Sequence, residues 1–262
     1  MTVHTEESLL HYLEAGGKIT APDNALPRYR GEVMRLMAVF VDSEMAGASG
    51  FADCINLAPG LKERMIAARI VLEKFHHAEQ VLRLMEPFGA RSTLYVTAHS
   101  WAARLDRSAD LGTRRIDGDM RLNVFYYPIY GWVDAVTMNF LMGRASVVQL
   151  DELTRCSYQP LADTLAEILP VEARHARLGE QGLRVALANG HDPVDAQASV
   201  NYWYPRVADA FGRSASDHFD VYRRYGLRQR SNQELLSHWQ TEVAEILKQL
   251  GLHVPSRPAP IM

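Results

Sequence analysis

Two copies of the spacing Glu-x-x-His stand out among the residues of this sequence that could do chemistry. On a helix, residues three apart share a face, so each copy presents a carboxylate beside an imidazole. Taken singly, such a pair is more commonly a surface ion pair, but carboxylates and imidazoles acting together are typical ligands of iron and manganese. The two copies therefore indicate a shared metal site. The pairs are Glu73 with His76 and Glu172 with His175.

The first copy leaves the choice of histidine open. Glu73 has His76 three residues on and His77 four residues on, and both spacings share a helix face. The second copy has Ala176 where a second histidine would stand. If the two copies act together, the ligand in the first is His76. His77 is then expected to be a neighbour of the site rather than a ligand.

A dinuclear site of this kind needs one carboxylate from each of two further helices. The helix predicted before each Glu-x-x-His segment carries a candidate, Glu44 in the first case and Asp134 in the second. A buried, unpaired carboxylate is costly, so an acid on an apolar helix is expected to have a strong partner. For Asp134 the alternative is a lone acid turned to solvent. The predicted ligands are Glu44, Glu73, His76, Asp134, Glu172 and His175.

The turns fit this ligand set. In two antiparallel helices, side chains at the same height lie equally far from the connecting turn. The midpoint between Glu44 and Glu73 falls inside NLAPG (56–60), which contains both Pro and Gly and is predicted to be a turn. For the second pair of acids the midpoint is residue 153, inside a longer connection. The midpoint of Glu44 and Glu73 fits the predicted turn well, and the midpoint of Asp134 and Glu172 fits the longer connection acceptably.

Apolar residues at helical spacing predict helices along most of the chain, and no segment alternates as a strand would. Pro170 is expected to bend the fourth long helix or to mark its true start. Ser231 and Glu234 have capping-box spacing at the start of the last helix, and Gly251 is expected to end it. The predicted long helices are 27–55, 61–86, 126–150, 158–190 and 231–251.

Two hairpins joined by a long crossover form a ferritin-like arrangement. The sequence therefore predicts an all-α, ferritin-like four-helix bundle, and we expect the whole chain, 1–262, to be a single domain. The bundle core is expected at about 27–190, accessory helices at about 195–251 and a loose tail at 252–262.

Composition excludes several classes of protein. A formal net charge of −3 with 23% charged residues gives no electrostatic case for nucleic-acid binding. Charges interrupt the apolar runs before membrane-spanning length, and the polar N-terminus is not a signal peptide. The two cysteines, Cys54 and Cys156, form no disulfide framework. A reducing, cytoplasmic compartment is therefore expected.

The residues around these motifs resemble the phenylacetic acid catabolic protein family, and within it the catalytic subunit of an aryl-CoA ring epoxidase. The resemblance covers most of the chain. The aromatic stretch around Asp134 and the late Ser-Asn-x-Glu-Leu segment are more specific than Glu-x-x-His alone. The matching stretches are DSEMAG, LEKFHHAEQV, NVFYYPIYGWVDAV, RCSYQPLADTLAEILPVEARH, NYWYPRVADAFG and SNQELLSHWQTEVAEILKQLGLHVP.

The resemblance implies an oxygenase with two Fe ions, or Mn in their place. Such a centre inserts one atom of O2 into the aromatic ring of a CoA thioester, as in phenylacetyl-CoA epoxidation, using electrons from an external flavin and iron–sulfur reductase. A related, metal-free helical subunit is the usual structural partner, so a homo- or hetero-oligomer is expected. In this interpretation Glu73 and Glu172 bridge or chelate the metals, His76 and His175 bind one metal each, and Glu44 and Asp134 are terminal ligands.

The sequence also departs from the family pattern. Leu72 and Val171 replace the acids that commonly precede the Glu of Glu-x-x-His. Two alternatives stay open: a non-catalytic scaffold subunit, or a di-iron oxygenase or oxidase acting on another small substrate. The nearby aromatics Phe40, Tyr130 and Trp132 could line a substrate pocket, although core packing is the commoner role. No CoA-binding residues are assigned, because the arginines of 104–115 and 223–230 are of a kind usually found solvated at the surface.

Overall fold

The computed structural model describes residues 5–116, 118–214 and 217–255, and within these ranges the chain is helical without a β-strand. The all-α prediction is confirmed. None of the helices in the described ranges has the length and apolar character needed to cross a bilayer. The helices are α1 (Glu6–Glu14), α2 (Pro27–Ala52), α3 (Leu61–Met85), α4 (Ser92–Thr97), α5 (Gly131–Leu153), α6 (Gln159–Ala188), α7 (Pro193–Asp209), α8 (Asp217–Arg224) and α9 (Asn232–Gln249).

Two helix pairs form the centre of the molecule, as the sequence predicted. Helix α2 packs along α3 after a short connection, α5 packs along α6, and α3 also contacts α6. This arrangement is consistent with a ferritin-like bundle. Helix α5 begins at Gly131, slightly later than the sequence indicated. Helix α6 runs through Pro170, so the proline does not mark the start of this helix.

Glycines let α5 and α6 approach closely beside the predicted site. A Cβ on Gly179 would stand 2.5 Å from the backbone nitrogen of Phe140, and one on Gly143 would stand 2.8 Å from the Cα of Ala176. Any larger residue would push the two backbones apart, because real Cβ atoms do not make contacts this short. The tight pairing brings the buried face of α6, with Glu172 and His175, against α5.

The C-terminal helices cover α5 on its other side. Helices α7 and α9 both pack against α5, which explains why that helix is apolar on almost every face. Trp203 of α7 and Trp239 of α9 are fully buried in this layer. The predicted capping box is present, with Ser231 and Glu234 bonding reciprocally at the start of α9. Gly251 follows the last turn with φ +72°.

The crossover between the helix pairs is tied to α2. Asp42, buried on α2, accepts hydrogen bonds from the Tyr95 hydroxyl (2.7 Å) and the Met120 amide (2.6 Å). Arg104 donates to the backbone oxygen of Ala46 at 2.8 Å. These bonds hold the crossover, in whose described residues α4 is the one α-helix, against the bundle.

Candidate functional site

A buried lysine lies where the sequence analysis expected metal ions. The ammonium nitrogen Nζ of Lys74 is 3.0 Å from Oε1 of Glu44 and 3.1 Å from both carboxylate oxygens of Glu172. The Lys74 side chain is 11% exposed and that of Glu172 is 1% exposed. Helices α2, α3 and α6 each supply one of these three residues. Together with His77 and His175 they are called the Lys74 cluster.

Two histidines complete the Lys74 cluster. Nδ1 of His77 and Nδ1 of His175 each lie 3.1 Å from Oε1 of Glu172. The two imidazole rings stack with their centroids 6.0 Å apart. Nδ1 of His77 also lies 3.4 Å from Oε2 of Glu44, although that oxygen accepts no hydrogen bond from the described residues.

Positively charged side chains surround the carboxylates of the Lys74 cluster. Burial alone would lower the pKa of Lys74, but the carboxylates of Glu172 and Glu44 outweigh burial and raise it. For His77, burial likewise lowers the pKa, and the nearby carboxylates of Glu172 and Glu44 raise it to about 9. Burial would raise the pKa of Glu172, yet Lys74 and the two histidines hold it well below its usual range. Lys74 and His77 therefore both carry a positive charge beside Glu172 at neutral pH.

Glu73 binds to the edge of the Lys74 cluster. Its Oε2 lies 2.6 Å from Nε2 of His175, and its Oε1 accepts from Arg174 at 2.7 Å. The Glu73 side chain is about one quarter exposed, at 26%. Glu73, Glu172 and His175 thus come together, as predicted. In this arrangement Glu73 orients the imidazole of His175 from the rim of the bundle.

The prediction of His76 as a ligand is wrong. Its side chain is 62% exposed and faces Glu79 on the outside of α3, with Nδ1 3.5 Å from the carboxylate. The buried face of α3 instead carries Ile70, Lys74 and His77. The helical equivalent of Glu172-x-x-His175 is therefore Lys74-x-x-His77. The repeated Glu-x-x-His spacing selected the neighbouring face, one residue out of register.

Asp134 is buried, but it does not join the Lys74 cluster. Its two oxygens accept from both terminal nitrogens of Arg107, at 2.7 and 2.9 Å, and from the indole of Trp203 at 2.8 Å. The backbone amide of Tyr130 also donates to it at 2.8 Å. The expectation that this acid has a strong partner is correct, but the partner is an arginine of the crossover. Asp134 therefore anchors the crossover and α7 to the start of α5.

Helix α5 brings no carboxylate to the Lys74 cluster within the described residues. Its other acids, Asp151 and Glu152, bind Arg230 near the far end of the helix. Beside Lys74, helix α5 contributes Asn139 and Met142, which line a void of about 30 Å³. Asn139 donates from its side chain to the backbone oxygen of His175 at 3.0 Å.

These residues do not fit a pair of divalent metals. A dinuclear carboxylate site takes one acid from each of four helices. In the described residues α5 offers none, α3 offers the partly exposed Glu73, and Lys74 places an ammonium group between the other two carboxylates. A single ion has a better-matched donor set, because ligand atoms of Glu44, His77 and Glu172 all lie within 4.8 Å of one another. The Lys74 ammonium group occupies the same space. A metal ion could therefore bind to these three residues only if the Lys74 side chain moved away.

The three aromatics considered for a pocket lie in different places. Phe40 lines a cavity that also reaches Glu44. Trp132 lines a separate surface cleft, and Tyr130 is 63% exposed with its ring against the Arg107 guanidinium.

Lys74 is the functional residue that the sequence reasoning missed. A lysine on a helix is ordinarily solvent-exposed. The signal was nevertheless present, because Ile70, Lys74, His77 and Val81 repeat at the spacing of one helix face.

Two curated proteins show what this chain is similar to. Over 242 residues it is 25% identical to one subunit of the 1,2-phenylacetyl-CoA epoxidase of Escherichia coli (strain K12), covering 89% of this chain and 72% of the relative. Over 260 residues it is 24% identical to benzoyl-CoA oxygenase component B of Aromatoleum evansii, covering 88% of this chain and 53% of the relative. Both relatives are components of oxygenases, which supports an oxidoreductase system as the setting of this chain. A family model described as phenylacetic acid catabolic protein matches residues 1–260, and the chain belongs to that family.

Proposed function

We propose that this chain is a metal-independent, partner-binding subunit of a multicomponent oxygenase that acts on aromatic CoA thioesters. The observation that carries the proposal is the Lys74 ammonium, bonded at 3.0–3.1 Å to both Glu44 and Glu172. The relatives support the setting, since their names make them parts of an epoxidase for phenylacetyl-CoA and an oxygenase for benzoyl-CoA. We therefore favour the scaffold alternative over the catalytic role expected from the sequence.

The electrostatic argument is that Lys74 and a metal ion compete for the same carboxylates. Because the pKa of Lys74 is raised, the ammonium keeps its proton at neutral pH. A divalent ion would have to enter beside a buried positive charge, and like charges a few ångströms apart repel strongly at low dielectric. Buried carboxylates need a cation, and Lys74 supplies it permanently.

An exposed apolar stripe on α3 supports the partner-binding role. The members of this α3 stripe are at least 41% exposed, and a helical period of 100° places them within about 80° of the helix circumference. They extend over roughly 21 Å of the helix axis. Exposed apolar surface of this kind is typical of protein interaction sites. The residues are Leu61, Met65, Leu72 and Phe75.

Metal analysis tests this proposal. Protein expressed with added iron and purified without chelators is expected to contain far less than one metal ion per chain by plasma mass spectrometry. Lys74→Glu puts a carboxylate in place of the buried ammonium group of α3, and this variant is expected to retain iron or manganese. Lys62→Glu, on the exposed surface of the same helix, is the matched control and is expected to stay metal-free. Two irons per wild-type chain would refute the proposal.

A metal-dependent oxygenase is the second candidate. It is favoured by the convergence of Glu44, His77 and Glu172, which would hold an iron ion if Lys74 turned away. Bound iron would supply O2 activation with electrons from an external reductase. In that case Glu73 would still fix the orientation of His175, and the apolar α5 face would exclude water. Wild-type metal content at or above one ion per chain, lost in His77→Ala, would select this candidate.

A further inference from the structure

A second cavity, next to the void beside Lys74, lies between α2, α5 and the segment that joins α7 to α9. Its volume is about 240 Å³. An engineered cavity of roughly 150 Å³ in another protein accepts benzene, so this one is large enough for an aromatic ring with a short side chain. Its wall is mainly apolar, and Leu36, Phe40, Leu150, Leu153 and Leu235 are among the residues that line it.

Two arginines and a tyrosine line this cavity. They are Arg115, Arg228 and Tyr222. The Arg115 side chain is exposed and Arg228 is half-buried, so these residues mark the mouth. The cavity is called here the arginine-rimmed cavity.

Neither guanidinium is hydrogen-bonded to a carboxylate among the described residues. Arg228 donates to the side-chain oxygen of Asn232 at 2.8 Å and to the backbone oxygen of Arg230 at 3.3 Å. Arg115 donates to the backbone oxygens of Met120 (2.7 Å) and Arg121 (3.0 Å). Neutral acceptors orient a guanidinium but leave its charge uncompensated. Burial lowers the pKa of Arg228, as expected for a cation without a bonded anion.

The nearby acids lie close to other cations, and Glu44, which lines the cavity itself, accepts a hydrogen bond from Lys74 at 3.0 Å. Glu152 accepts from Arg230 at 2.7 Å, and Asp119 accepts from Arg121 at 2.6 Å. Glu32, which lies near Tyr222, has one oxygen 3.7 Å from His218 and 3.9 Å from Arg35. That oxygen accepts no hydrogen bond from the described residues, and its charge is shared with these two bases. The rim therefore carries a net positive charge beside an apolar interior.

We infer that the arginine-rimmed cavity binds a small molecule with an apolar body and one anionic head, the class of aromatic and medium-chain carboxylates. The apolar body lies against the leucines and Phe40, and the head lies between Arg115 and Arg228. Arginine presents parallel donors that match a carboxylate. The inference does not depend on whether the Lys74 cluster holds a metal, and it concerns a free acid rather than a CoA thioester.

A matched pair of probes tests the head and the body separately. The probes are 4-phenylbutyrate and 4-phenylbutanol, which share the apolar body and differ in the charged head. Affinities are measured by isothermal titration calorimetry on the full chain at low salt. The acid is expected to bind at least tenfold more tightly than the alcohol. Equal affinities, or no binding of the acid at millimolar concentration, would overturn the inference.

Variants locate the binding. We expect either variant, Arg115→Gln or Arg228→Gln, to bind 4-phenylbutyrate about tenfold more weakly and to bind 4-phenylbutanol with unchanged affinity. Since Arg115 is exposed, its variant keeps the fold even if Arg228→Gln does not. Ser146→Leu places a larger side chain in the cavity wall and should lower the affinity for both probes alike. Arg184→Gln, an exposed arginine on α6, is the control. Acid affinity that survives both cavity arginine variants would place binding elsewhere and refute the inference.

Discussion

Replacing Lys74 by methionine is the most direct perturbation of the buried cluster. Methionine keeps the length and apolar stem of lysine and removes the ammonium. Glu44 and Glu172 then lose their bonds to Nζ at 3.0–3.1 Å. Glu172 keeps its two histidines, and Glu44 keeps no hydrogen-bond donor among the described residues. Removing one partner of a buried ion pair costs about 3–5 kcal/mol, and Lys74 is bonded to two carboxylates at once. We expect the free energy of unfolding to fall by about this amount.

The assay is thermal unfolding, with and without a divalent metal. In a chain of this size the loss corresponds to a Tm decrease of about 6–20 °C. In Lys74→Met, the donors of Glu44, His77 and Glu172 are free for a metal, so Mn²⁺ or Fe²⁺ should recover part of the loss. A metal at about 100 times its Kd adds about 2.7 kcal/mol. The wild type should show no such metal-dependent increase.

Two outcomes would refute this reasoning. A Lys74→Met variant within about 1 kcal/mol of the wild type would mean that the ammonium is not the required counter-charge. An equal Tm increase with metal in wild type and variant would mean that Lys74 does not occupy the metal position. Lys62→Met, on the exposed surface of the same helix, is the control and should change Tm little.

Other variants probe exposure, the apolar surface and charge. His76→Ala should change the free energy of unfolding by less than ~0.5 kcal/mol. His77→Ala should lower it by about 1–3 kcal/mol, because it removes a buried hydrogen bond to the charged carboxylate of Glu172; urea unfolding compares the two. Leu72→Lys should abolish assembly with a co-expressed oxygenase partner in size-exclusion chromatography while leaving Tm unchanged, and a retained complex would contradict the α3 stripe as the interface. Burial alone would raise the pKa of Glu152, but hydrogen bonds from Arg230 and neighbouring amides lower it. The stabilisation by Glu152 is therefore complete above its unfolded pKa of about 4.3 and is lost as the pH falls through the lower folded pKa. Between about pH 5 and pH 3 the wild type should lose stability more steeply than Glu152→Gln, and parallel curves would contradict this.

Helices and their pairing were predictable because local rules decide them. Apolar residues at helical spacing, the turn at 56–60 and the capping box of Ser231 and Glu234 act within a few residues of chain. The hairpin midpoint argument also used only chain positions. It paired Glu44 with Glu73 and Asp134 with Glu172, whereas the structure brings Glu44 and Glu172 to one lysine.

One motif does not determine which face of α3 is buried. Glu73 and His76 satisfy the same spacing as Lys74 and His77, and the two pairs differ by one residue, or about 100° of helix rotation. Burial of Ile70 and Val81 turns Lys74 and His77 inward. The repeat of Glu-x-x-His in α6 favoured the other pair, and tertiary packing overrode it.

The all-α class, the two hairpins and the acids that had to be buried all follow from the sequence alone, because periodicity and turn chemistry are local. The cations that neutralise those acids follow from the packed structure. Lys74 reaches Glu44 and Glu172 from α3, and Arg107 of the crossover reaches Asp134. Which cation meets which carboxylate depends on helix rotation and on segments far apart in the chain, and a buried acid binds whichever positive charge the packed fold brings to it.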